Sequence, residues 1–414
     1  MLRRVELFEH ETMEVGRSLR PDPEARLGAQ DFEALVKFND DTGQRFFRVG
    51  HQRITACQFV GYVEVGELAI EILPKADRDA KADAAPWRAG MLEMLHAATG
   101  LRFEHPTESS QTAGRSTLLH VVIARFLEEV ETLAHQGLAR GYRSEEQNGP
   151  VFRGKLLLQQ QLRENLARDD RFFVRTTTYD RDIVVNRILR AALDALQTLR
   201  IDATAARRAA QCADAFATVT RGRVNGSDFD RLRLGRSTAR YHDALLLARM
   251  ILERRAPELR SGRAPVFALL FDMNVLWERY VAALFRKAAG RRFTVRTQEG
   301  RGFWRAAGST ERTVRPDIVV ESEDGSVVLI ADTKWKLVRE GVPSDDDLKQ
   351  MFVYNELFGS ARSLLIYPTG GASKTREGGF TGRKHTCSTA HLGVLEGARW
   401  SAKHLEQQIV RLIG

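Results

Sequence analysis

Apolar residues change their rhythm twice along this chain. Up to about position 112 they come in short β-branched and aromatic runs broken by glycine; 46–49, 54–59, 61–65 and 67–73 each read as a strand, the last stopped by Leu73-Pro74-Lys75. Residues 86–100 read as the one helix of this small sheet region, with Pro86 near its start and Gly100 at its end, and 76–85 read as a charged loop. From about 116 to 261 the spacing becomes three and four. Leu119, Val122, Ile123, Phe126, Leu127, Val130 and Leu133 make one apolar face over 118–139, and further helices are expected at 154–165, 183–199, 205–219 and 239–255. A β-like run at 172–179 interrupts them, and the polar stretch from Arg143 to Lys155 reads as a loop around Asn148-Gly149-Pro150.

Beyond 262, helix and strand alternate. Val275, Leu276, Tyr280, Val281 and Leu284 predict an amphipathic helix, and 318–320 and 327–331 are strands whose polar linker, 321–326, forces a hairpin. Residues 345–358 follow as a helix with acidic residues in its first turn, where the macrodipole favours them, and 363–367 is a strand stopped by Pro368. The expected fold class is α+β and multidomain: a small β-rich N-terminal domain over 1–115 for partner docking, a helical middle over 116–262, and a C-terminal α/β domain over 263–414.

Composition narrows the setting. With 414 residues, 43% hydrophobic and 28% charged, the chain can bury sizeable cores as a soluble globular protein. No apolar run approaches the roughly 20 residues of a membrane span, and Met1-Leu2-Arg3-Arg4-Val5-Glu6 lacks a following signal-peptide core, so no membrane partner and a cytoplasmic location are expected. Cys57, Cys212 and Cys387 lie far apart without CxxC spacing, which argues against a disulfide framework or a zinc knuckle. A net charge of +9 suits an anionic partner, nucleic acid being the economical one, although an arginine-rich genome gives the same excess.

Candidate chemistry lies in the hairpin. Side chains alternate along its second strand, so Val328, Ile330, Asp332 and Lys334 share one face while Leu329, Ala331, Thr333 and Trp335 share the other. Antiparallel pairing brings Asp317, just after Pro316 at the head of the first strand, beside the charged end of the second. Two carboxylates and an ammonium then converge on one sheet edge. Desolvating them is costly unless a divalent cation sits between the acids, and hard oxygen ligands suit Mg²⁺ or Mn²⁺. The alternative is that Asp317 and Lys334 are ordinary strand-edge charges and Asp332 a turn former.

Pro316-Asp317 followed by Asp332-Thr333-Lys334 resembles the PD-(D/E)xK nuclease core. The resemblance implies a metal-dependent DNA endonuclease, the cation held by Asp317, Asp332 and the backbone carbonyl of Thr333, and Lys334 orienting or activating the attacking water. It also implies a third acidic ligand, Glu278, on the preceding helix. Gln350 and Tyr354, four apart and so on one helix face, match the QxxxY helix that lines the active site in RecB-like members. Apart from the resemblance, Glu278 reads as a helix charge paired to Arg279 or Lys287, and Tyr354 as a core residue.

Further patches appear in order: GYVEVGELAIEILPK at 61–75, FRGKLLL at 152–158, YDRDIVVNRILRAAL at 179–193, YHDALLLARMIL at 241–252 and FDMNVLWERYV at 271–281. Together they resemble the McrC family, nuclease subunits of McrBC-type, modification-dependent restriction systems. The resemblance implies cleavage of double-stranded DNA, modified or not, in anti-phage defence, and a partner of McrB type, an AAA+ GTPase that this subunit stimulates. The first 40 residues and the Gly-rich tail depart from it. The chain has no G-x-x-x-x-G-K-[ST] of its own: Gly370-Gly371-Ala372-Ser373-Lys374-Thr375 has serine where glycine must precede lysine, and it reads as a mobile loop. Arg143, Arg153 and Lys155 are candidates for reaching the partner's nucleotide or pore, unless their loop merely connects helices. Two other classes stay open, a stand-alone endonuclease or repair nuclease and a non-catalytic adaptor of an AAA+ ring. His385 and the other histidines show no HxxxH or His-Asn-His pattern.

Overall fold

The structure is a computed structural model that describes residues 3–19, 26–75, 83–103, 117–253, 266–336 and 342–414. The chain is α+β, and it forms two compact units: Met1–Leu118 together with Ala256–Gly414, and Leu119–Arg255. The N-terminal and C-terminal segments, expected as separate domains, thus share one unit.

The first unit begins with β1 (Arg3–Phe8), β2 (Thr12–Glu14), β3 (Phe47–Gly50), β4 (Arg53–Ala56), β5 (Phe59–Val65) and β6 (Leu68–Leu73). A helix, Ala29–Thr42, crosses this region in addition to the one expected; Gly28 opens it, its N–H donating to Asp31 Oδ2 at 3.0 Å, and Gly43 closes it at φ 64°. Its acidic sequence obscures the pattern, for only Ala34, Leu35 and Phe38 supply buried apolar side chains, packed with Val5, Leu7, Met13, Val63 and Ile70. The helix Ala84–Thr99 is capped by Asp83, whose side chain accepts from the Ala85 N–H, and ends at Gly100 with φ 78°. Of the charged loop expected at 76–85, residues 76–82 lie outside the described residues.

In the second unit, β7 (Gly141–Gly149), β8 (Lys155–Leu156) and β9 (Phe172–Asp180) form a three-stranded sheet in the order β7-β9-β8. The stretch from Arg143 to Lys155 is therefore two strands and a turn rather than a loop. Its polar sequence, RSEEQN, shows no apolar alternation, and β7 is held instead by pairing along its whole length with β9. The helix expected at 154–165 is shortened to Leu158–Glu164 because β8 takes its first residues. The helices Val184–Leu196 and Ala203–Ala215 follow, then a 3-10 turn at Ala239–Tyr241 and the helix His242–Glu253. Positions 254 and 255 of that last expected helix lie outside the described residues.

The chain re-enters the first unit at β10 (Val266–Asp272), which pairs antiparallel with β5 and completes the sheet order β1-β6-β5-β10. This pairing merges the two ends of the chain. The helix Met273–Ala289 follows, capped by Asp272, then β11 (Thr294–Thr297), β12 (Arg301–Trp304), β13 (Arg312–Val314), β14 (Ile318–Glu321), β15 (Val327–Thr333), β16 (Arg362–Thr369), β17 (Lys374–Arg376) and β18 (Thr386–Gly393). Six of these strands form one sheet, β11-β14-β15-β16-β18-β17, antiparallel from β11 to β15 and parallel from β15 through β18, while β12 and β13 form a separate two-stranded ribbon. The helix Asp345–Phe358 starts at Ser344, whose hydroxyl accepts from the Asp347 N–H, and buries Met351, Tyr354 and Phe358 on Val319, Ile330, Leu365 and Tyr367 of the sheet. The stretch 370–375 leads into the edge strand β17 rather than ending as a loop. The tail adds β19 (Leu395–Glu396), β20 (Arg399–Trp400) and the helix Ala402–Ile413. Among the described residues no helix is long and apolar enough to cross a membrane.

Candidate functional site

Register places the acids. Ile318 pairs with Ala331, so Asp317, one residue before β14, lies at the C-terminal end of β15. There Asp317 Oδ2 accepts from the Thr333 N–H at 2.7 Å and from its hydroxyl at 2.8 Å, fastening the two strands at their charged ends. One residue earlier Asp332, buried, meets Lys334 Nζ at 2.6 Å on the same strand face.

The helix Asp345–Phe358 covers that face with a chain of hydrogen bonds. Lys334 Nζ donates to Gln350 Oε1 at 3.2 Å, and Gln350 Nε2 donates to Asp332 Oδ1 at 3.4 Å and to Tyr354 Oη at 2.6 Å. The Tyr354 hydroxyl in turn donates to the Arg315 carbonyl at 3.0 Å. Because Gln350 and Tyr354 are one helical turn apart, a single rigid element sets both.

Glu278 reaches the cluster from the helix Met273–Ala289 through a residue that the sequence did not single out. Gln298 Nε2 donates to Glu278 Oε1 at 2.8 Å and to Asp317 Oδ1 at 3.2 Å. Thr297 pairs with Ile318, so the next residue falls opposite Asp317, and Gln298 holds that place at a positive φ of 55°. This register becomes legible only once β11 is known.

On the other face, Trp335 donates its indole N–H to the buried Glu9 carboxylate at 2.7 Å and packs edge-on against Trp277, the neighbour of Glu278, with ring centroids 5.4 Å apart. Strand alternation thus divides consecutive residues between a polar cluster and an aromatic support.

The carboxylates are short of positive charge. Burial, followed by the nearby Asp317, pushes the Asp332 pKa up to about 6 despite Lys334. Asp317 is also raised, burial outweighing its bonds to Thr333 and the pull of Lys334. Glu278 is raised by burial and then by Asp317. Burial opposes the Lys334 charge, yet Asp332, Asp347 and Asp317 hold its pKa above the ordinary lysine value. Lys334 is thereby kept as an ammonium.

Among the described residues no three His, Cys, Asp or Glu side chains form a ready metal cage. N–H donors stand between the acids instead: the Gln298 amide spans Glu278 and Asp317, and the Lys334 ammonium sits on Asp332. The donor set is nonetheless of the kind that hard divalent cations take, anionic oxygens with raised pKa values.

Arg143, Arg153 and Lys155 lie in the other unit. The Arg143 guanidinium faces Glu145, Asp180 and Asp182, so its charge is largely spent within its own sheet, whereas Arg153 and Lys155 are exposed. His385 Nε2 lies 2.9 Å from Glu356 Oε1, away from the acid cluster's hydrogen bonds.

The fold and this edge define an α+β protein with paired acids, an amide and a lysine where an antiparallel pair ends. The family model described as "McrBC 5-methylcytosine restriction system component" matches residues 54–368, and the chain belongs to that family. No curated protein matches the chain. A chain of the refined half-complex from the tetradecameric assembly of Thermococcus gammatolerans McrB AAA+ hexamers with bound McrC has the same fold at 20% identity, TM-score 0.66, over 99% of this chain and 100% of that one. A chain of the Thermococcus gammatolerans McrBC complex is also similar, at 20% identity and TM-score 0.48, over 70% of this chain and 88% of that one.

Proposed function

We propose that the chain is a McrC-like endonuclease subunit of a restriction system, hydrolysing phosphodiester bonds of double-stranded DNA with Mg²⁺ or Mn²⁺ and stimulating an AAA+ GTPase of McrB type. The observation that carries this reading is the network at the end of β15. Asp317 is tied to Thr333, Asp332 is paired to Lys334, and Gln350, steadied by Tyr354 one turn on, holds Asp332 and Lys334. The order of these groups supports a PD-(D/E)xK core in the unit formed by the two ends of the chain.

Asp317, Asp332 and the Thr333 carbonyl would hold the cation, with Glu278 as a further acid that the Gln298 amide keeps beside Asp317. A cation bound there would polarise the phosphate and lower the pKa of the attacking water. Lys334, held as an ammonium, cannot accept a proton; it orients the nucleophile and offsets charge developing on the phosphate. Gln350 fixes Lys334 against Asp332, and Tyr354 fixes Gln350.

Family membership and the lack of a Walker A sequence support a division of labour, in which an AAA+ partner hydrolyses GTP and this chain cuts DNA. The Thermococcus gammatolerans assembly contains McrB AAA+ hexamers with bound McrC, which is consistent with that pairing. We assign 1–115 and 116–262 to partner docking, with Arg153 and Lys155 better placed than Arg143 to reach outward, and 263–414 to the chemistry. A cytoplasmic location suits a system that meets incoming DNA. Cleavage of duplex DNA by the chain with its partner and GTP should stop on adding EDTA and resume with Mg²⁺; cleavage indifferent to EDTA rejects the metal-dependent reading.

A further inference from the structure

The ribbon β12–β13 is rooted in the acid cluster at both ends. Gln298, just before it, bonds Glu278 and Asp317, and the carbonyl of Arg315, just after it, accepts from Tyr354. Arg301 anchors its base on the helix Asp345–Phe358, donating to the Leu357 carbonyl at 2.9 Å and lying 4.2 Å from the Phe358 ring centroid. Beyond that anchor the ribbon is exposed and carries two large aromatic side chains. Phe303 is 53% and Trp304 54% exposed, at an irregularity in the pairing between Gly302 and Trp304 that turns consecutive side chains outward. The Arg312 guanidinium lies 5.8 Å from the centroid of the Trp304 ring, and Arg305 and Arg315 are exposed nearby.

From these observations we infer that the β12–β13 ribbon grips duplex DNA beside the scissile phosphate, with Phe303, Trp304 and Arg312 against the bases or groove wall and Arg315 on the backbone. The inference rests on the nuclease reading and adds the element that holds its substrate. Charge and shape favour DNA over a protein occupant. Guanidinium groups pair with phosphates and guanine edges, apolar side chains contact the thymine methyl, and a two-stranded ribbon fits the B-DNA major groove. At roughly 3.3 Å per residue, Trp304 lies at most roughly 20 Å along the chain from Gln298, a reach of no more than about six base-pair steps from the acids. A segment clamped by Gln298 and Tyr354 also transmits the position of the duplex to the acids it must present.

The test is equilibrium binding of a fluorescein-labelled DNA duplex to the full chain in EDTA, where cleavage is blocked, over a range of salt. The Phe303→Ala, Trp304→Ala double variant should bind at least about tenfold more weakly, the size expected from losing the burial of two large apolar side chains. Arg315→Ala should lower the slope of log affinity against log salt by about one, while Arg312→Lys, which keeps the charge and loses the planar stack, should weaken binding with the slope unchanged. Circular dichroism and thermal unfolding establish that each variant is folded. Unchanged affinity and slope in folded variants overturn the inference. So does intact DNA affinity accompanied by lost stimulation of the partner GTPase, which would make the ribbon a protein-docking element. Because binding is read without cleavage, the two readings separate: Asp332→Asn that still cuts rejects the nuclease assignment even where the ribbon variants lose DNA.

Discussion

Trp335, the residue after Lys334, donates its indole N–H across 2.7 Å to Glu9, the residue after β1. The far N-terminus thus supports the strand that presents the lysine. Burial pushes the Glu9 pKa up to about 8, against the hydrogen bonds from Trp335 and the Lys75 N–H, with Asp272 adding to the rise. The folded state therefore prefers Glu9 protonated. Its contribution to stability is complete below the ordinary carboxylate range and is lost as pH rises toward about 8.

In Glu9→Gln the amide carbonyl still accepts from Trp335 and nothing titrates. Between pH values of about 5 and 8 the wild-type protein should lose stability relative to this variant by up to roughly 1.4 kcal/mol per pH unit. Denaturant melts of both proteins across that range check it; parallel pH curves would show that Glu9 titrates normally.

Gln298 couples a left-handed backbone to a bridging amide, and two substitutions separate these roles. Gln298→Gly and Gln298→Ala both remove the link between Glu278 and Asp317, so both should reduce DNA cleavage about tenfold or more, the scale of a lost positioning contact. Glycine accepts the positive φ freely, so Gln298→Gly should be about 1 kcal/mol more stable than Gln298→Ala. Thermal unfolding and cleavage rates read the two effects independently.

Tyr354→Phe keeps the ring in the core and deletes the hydroxyl that binds Gln350 and the Arg315 carbonyl. A loss of about 1 kcal/mol in stability is expected from the unmade bonds. Cleavage should fall further than that loss explains, because Gln350 no longer holds Lys334 in place. Equal turnover in the variant and the parent would show that this chain of bonds only stabilises the fold.

Gly61 has φ 138°, and a Cβ there would sit 2.0 Å from the Leu269 carbonyl oxygen on β10. Gly61→Ala must push β5 from β10 and should cost at least about 2 kcal/mol, the range of severe backbone clashes. The damage should extend to DNA cleavage, since β10 leads directly into the helix that carries Glu278. A denaturation midpoint equal to that of wild type would contradict the pairing that joins the ends of the chain.

The sequence was most readable where one pattern had one solution. The hairpin around 321–326 and the helix 345–358 with its acidic start stand close to where apolar runs and turn residues put them, whereas the strand expected to stop at Pro368 runs through it to Thr369, Pro368 pairing with Leu392. Gln298 was invisible for the opposite reason. Its role depends on the pairing of β11 with β14, a long-range register that no local spacing encodes. The stretch from Arg143 to Lys155 misled because an exposed ribbon needs no apolar alternation, and the helix Ala29–Thr42 because acids interrupt its buried stripe. Nor could spacing reveal that β10 completes a sheet that begins at β1 and continues through β6 and β5.

The most direct measurement is cleavage of duplex DNA by the full chain with its GTPase partner, GTP and Mg²⁺, comparing wild type with Asp332→Asn and Lys334→Ala. Both variants are expected to lose cleavage by at least about a hundredfold while still stimulating GTP hydrolysis, since Asp332→Asn weakens the hold on the cation and Lys334→Ala removes the charge that acts on the phosphate. Cleavage near the wild-type rate in either folded variant would contradict a hydrolytic centre at the end of β15.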